Sequence, residues 1–86
     1  MTITKKTVAK KLAGYLKHEV TLADLVEWAE RSMQEGVFDE KDLKLLAAVI
    51  GRLGVADVRE FGLAWEDCEE ILKQLGYSTR VDVFAA

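Results

Sequence analysis

The sequence predicts a mainly α-helical single domain: a small bundle of four main helices with a short C-terminal β-strand. Three observations lead there. Apolar residues recur at helical spacing in four segments, Gly36, Gly54 and Gly76 punctuate the ends of three of them, and the tail switches to a two-residue period. No proline, low-complexity tract or linker divides the chain, so residues 1–86 read as one domain.

The first helix is expected over about 5–17, where Val8, Leu12, Tyr15 and Leu16 fall on one side and Lys6, Lys10 and Lys17 share another. The second is expected over 22–35. Thr21 can cap it with Asp24 three residues on, Val20 can staple to Leu25, and Leu22, Leu25, Val26, Ala29 and Met33 form its apolar stripe. Trp28 lies at the flank of that stripe, and Gly36 is expected to end the helix as a left-handed cap. The third, over 40–53, repeats the device with Asp39, Asp42, Phe38 and Leu43. Its apolar residues, from Leu43 to Leu53, cover more than half the circumference, which marks it as the central helix. After a connector over 55–63, the fourth helix is expected over 65–75, with Trp65, Cys68, Ile71, Leu72 and Leu75 facing inward. From 77 to 84, Tyr77, Thr79, Val81 and Val83 alternate with their neighbours as in a strand, with a helical extension or a frayed tail as the alternative. A strand needs a partner, and either the Thr-Ile-Thr run of residues 2–4 or a second chain can supply it.

Half of the residues are apolar and 31% are charged, a globular balance. No apolar run approaches the roughly 18–20 residues that span a bilayer, and no apolar stretch follows the N-terminal lysines as in a secretory signal. With Cys68 the only cysteine, no intrachain disulfide forms, and a soluble, cytoplasmic protein is expected. The net charge of −3 conceals an asymmetry: the first 18 residues carry +5 and no acid, and the remainder carries −8.

No catalytic, cofactor-binding or metal-binding residue is expected. His18 reads as a loop residue and Cys68 as an inward apolar one, and neither has further ligands at metal spacing. The glycines make no phosphate-cradling loop. Glu66, Asp67, Glu69 and Glu70 form the densest acidic cluster; the positive end of the fourth helix accounts for them without catalysis. Nucleic-acid binding is disfavoured, because the third helix offers only Lys41, Lys44 and Arg52 on a domain that is acidic overall.

The segment from Tyr15 to Met33, YLKHEVTLADLVEWAERSM, resembles the opening hairpin of small bacterial helical immunity proteins of the colicin D immunity type. The resemblance covers about the first third of the chain and carries over no functional residue. It implies a non-enzymatic protein that masks the active site of a partner toxin. The expected function is accordingly a small protein-interaction module, an immunity- or antitoxin-like inhibitor, with Glu66, Asp67, Glu69 and Glu70 as the partner-binding surface. The alternative is a homodimeric structural or adaptor subunit that pairs residues 77–84 between chains.

Overall fold

The computed structural model describes residues 1–59 and 61–79. In chain order the described elements are β1 (Thr2–Ile3), α1 (Lys5–Leu16), α2 (Leu22–Glu35), β2 (Val37–Phe38), a 3₁₀ turn (Glu40–Asp42), α3 (Leu43–Gly54) and α4 (Trp65–Gln74). The fold is mainly helical, and the four helices lie within one or two residues of their expected bounds, apart from the start of the third. There Asp39 caps, but its carboxylate accepts from the Lys41 N–H at 3.2 Å, two residues on, and opens a 3₁₀ turn. The α-helix follows from Leu43.

The strand is where the expectation fails. The sheet joins β1 to β2 in parallel, with Thr2 opposite Val37 and Ile3 opposite Phe38, at the N-terminal end of the chain rather than the C-terminal one. Tyr77–Thr79 adopt no regular structure, and residues 80–84 of the expected strand lie outside those described. Two interactions show why the chain departs from a strand after Gly76. Gly76 takes a left-handed φ of 91°, and the Tyr77 N–H turns back onto the Leu72 carbonyl at 2.8 Å, satisfying an orphan acceptor at the end of α4. The Thr79 hydroxyl then donates to Glu69 at 3.2 Å.

At the other end, Gly36 is not the left-handed cap expected. Its φ of −75° and ψ of 145° are extended, so the chain leaves α2 directly into β2. The Val37 N–H donates to the Met1 carbonyl at 2.7 Å and that of Asp39 to the Ile3 carbonyl at 3.0 Å. This pairing carries Ile3 into the core, where it is fully buried. Thr4 then starts α1: its hydroxyl accepts from the Thr7 N–H at 3.2 Å while the Thr7 hydroxyl accepts from the Thr4 N–H at 3.4 Å, a reciprocal cap. The Thr21 cap of α2 forms as expected, accepting from the Asp24 N–H at 3.1 Å. His18 makes the turn between α1 and α2 with a φ of 63°.

The core joins Ile3, Val8, Leu12, Leu25, Ala29, Leu46, Ile50, Leu53, Cys68 and Leu72 across all four helices. α2 packs chiefly on α3, and α1 sits between α2 and α4. Three inward assignments need correction. Met33 is 57% exposed, and Ser32 takes the buried place with its hydroxyl donating to the Trp28 carbonyl at 2.8 Å. Leu43 is half exposed because the 3₁₀ turn shifts the start of α3, and Trp65 is 40% exposed. Trp28 is half-buried at the core edge with the Lys11 ammonium 5.6 Å from its ring centre.

Candidate functional site

The segment between α3 and α4 holds the surface of greatest interest, and Arg52 organises it. One guanidinium nitrogen donates to the Gly62 carbonyl at 2.7 Å, and the other lies 3.4 Å from the Asp67 carboxylate. A single side chain on the last turn of α3 thereby ties down both the connector and the start of α4. Asp67 does a second job, accepting from the Ala64 N–H at 2.9 Å and so satisfying a donor ahead of the helix. The fork geometry of arginine makes the double attachment feasible in a way a lysine would not.

The four acidic residues named from sequence therefore divide. Asp67 is engaged with Arg52 and the Ala64 amide, and Glu69 accepts from Thr79. Glu66 and Glu70 are exposed one turn apart on α4. Glu70 also borders a cleft of about 240 Å³ between α3 and α4, which is floored by Ala48, Val49 and Ile71.

The connector and the first residue of α4 expose apolar groups that the sequence pattern assigns to no site. Phe61 is 59% exposed, and Val58 and Trp65 are exposed as well. The Phe61 and Gly62 N–H groups both donate to the Val58 carbonyl at 2.9 Å, so this is a hydrogen-bonded turn anchored by Arg52. The available signal was local: an aromatic inside a connector, followed by a tryptophan at the first position of a helix. Exposed aromatics are enriched at protein interfaces because they offer large apolar area with few torsions to freeze.

The remaining reactive side chains are placed apart. His18 is exposed in the α1–α2 turn, while Cys68 is buried on the inward side of α4. Burial, reinforced by the neighbouring Asp67 charge, pushes the Cys68 thiol up from 9.0 to about 11, which suppresses the nucleophilic thiolate. Among the described residues no three of the His, Cys, Asp and Glu side chains gather closely enough to hold a metal ion. Among the same residues, no helix is long and apolar enough to cross a membrane.

No family model matches this chain, and no curated protein or solved structure matches it significantly.

Proposed function

We propose that this protein is a small non-enzymatic interaction module that inhibits a partner protein in the manner of an immunity protein or antitoxin. The observation that carries the reading is the exposure of Val58, Phe61 and Trp65 in the connector and at the start of α4, the helix that also exposes Glu66 and Glu70. Such a surface combines the two things an inhibitor needs. The aromatics supply desolvation energy and slow dissociation, and the carboxylates steer a basic partner and raise the association rate. A toxin that acts on nucleic acid has a basic active-site face, which is the complement of this surface. The resemblance of residues 15–33 to the immunity-protein hairpin supports the same reading independently of the site.

The test is affinity capture with the intact chain beside two double variants, Phe61→Ser/Trp65→Ser and Glu66→Lys/Glu70→Lys. A specific partner should be retained by the native chain and lost by both. With that partner purified, each aromatic truncation should cost about 1–3 kcal/mol, mostly in the dissociation rate. The charge reversals should lower the association rate, more so at low salt. Capture of the same proteins by all three forms overturns the assignment.

A further inference from the structure

A second surface, on the basic side of the charge asymmetry, draws on the same Glu66 and Glu70 from another direction. α1 carries five lysines in its vicinity, and two of them are engaged within the chain: Lys5 lies 3.4 Å from the Asp42 carboxylate, and Lys11 lies over Trp28. Lys6 and Lys10 are exposed and border a groove of about 510 Å³ that runs from Thr7 past Gly14 to Val20. The α1–α2 link builds its far wall. The Glu19 and Val20 N–H groups both donate to the Gly14 carbonyl, at 2.9 and 3.2 Å, and draw Val20 down onto the glycine. A Cβ at position 14 would lie 3.0 Å from a Val20 methyl, so a larger residue there would have to push the Val20 side chain aside by a few tenths of an ångström. The rim is cationic along α1, through Lys6, Lys10 and Lys11, and carries one carboxylate, Glu19, at the α1–α2 link.

The chain itself carries the complement. Glu66 and Glu70 are separated by one helical turn, as are Lys6 and Lys10, which gives both pairs a spacing of about 6 Å along their helix axes. Among the described residues none of these four groups is in an ion pair. Nucleic acid is the poorer occupant of the groove, since the whole chain has a net charge of −3 and repels a polyanion at long range. A second copy carries the same net charge of −3, which is small beside that of a polyanion, and its Glu66 and Glu70 match the two lysines in number and spacing.

We propose that the α1 groove is a self-association surface, in which Lys6 and Lys10 of one copy receive Glu66 and Glu70 from α4 of a second copy. The contact joins unlike surfaces, so it closes into a dimer when made reciprocally and extends into longer species otherwise. Both forms dissociate as salt screens the pairs.

Sedimentation equilibrium of the intact chain tests this without any partner present, so its failure is distinct from failure of the inhibitor reading. At low ionic strength the native chain should associate, and at about 0.5 M salt it should be monomeric. Lys6→Glu/Lys10→Glu and Glu66→Lys/Glu70→Lys should each weaken self-association at least about tenfold, equivalent to roughly 1.4 kcal/mol. Mixing the two variants should restore association, because each then offers the other a complementary face. All four positions are exposed, so circular dichroism should show both variants folded like the native chain. A monomer at low salt, or association untouched by the reversals, overturns the proposal. Retention of the monomer on DNA through Lys6 and Lys10 overturns it in favour of a phosphate ligand.

Discussion

Gly36 and Gly51 show how little a residue type says until its surroundings are known. A Cβ at position 36 would sit 2.5 Å from the Ser32 carbonyl oxygen and 2.9 Å from Ile3 Cγ1, at the point where β1 docks on the end of α2. A Cβ at position 51 would meet nothing within 4 Å. Gly36→Ala must therefore displace backbone or the buried Ile3, and should destabilise the protein by about 1–3 kcal/mol. Gly51→Ala, inside α3, should stabilise it by about 0.5–1 kcal/mol by favouring the helix and narrowing the unfolded ensemble. Urea denaturation of both variants checks the opposite signs. At the same scale, His18 reads correctly from sequence as a loop residue, while its left-handed φ of 63° does not. The turn imposes that conformation, and histidine is among the side chains that tolerate it better than a β-branched one would.

Among the elements, the connector between α3 and α4 depends most on a single side chain. Arg52 holds Gly62 by its carbonyl and Asp67 by its carboxylate, with the guanidinium partly exposed. Arg52→Gln should leave the helices in place, at a cost of about 1 kcal/mol, and free the connector. Hydrogen exchange followed by mass spectrometry should show faster amide exchange at residues 55–64, with α1 and α2 unchanged. The partner binding proposed for Phe61 should weaken in the same variant because the aromatic is no longer preorganised. The helices themselves were legible because their stripes and caps are local: Thr21 with Asp24 lies within one turn. The β1–β2 pair was not. It joins residues 2–3 to 37–38, and the alternation of the tail was the louder β signal in the sequence. Alternation identifies a segment able to form a strand, and only available hydrogen-bond partners make it one.

For the molecule as a whole, Cys68 links packing to pH. The folded thiol is pushed up to about 11 from 9.0, so below pH 9 it is neutral in both states and adds no pH dependence. Above pH 9 the unfolded chain ionises first, and stability falls as pH rises towards 11, by at most about 1.4 kcal/mol per unit from this group. Urea midpoints from pH 8 to 11 for the native chain and Cys68→Ala should diverge, with the variant showing the shallower decline. Equal slopes would mean that the thiol is not held neutral by burial.

The sequence by itself determined four helices, the apolar stripe of α3, the inward place of Cys68 and the segregation of charge. Each depends on periodicity, neighbouring residues or composition, and needs no knowledge of the path of the chain. Tertiary structure decided which acids are engaged and which are exposed, since Arg52 reaches Asp67 across fifteen residues of sequence. It also decided that Ile3 and Ser32 are buried while Met33 is not, and that β1 finds its partner after α2. These outcomes rest on contacts between segments far apart in the chain, where closure of the core and the pairing of backbone groups outweigh local preference.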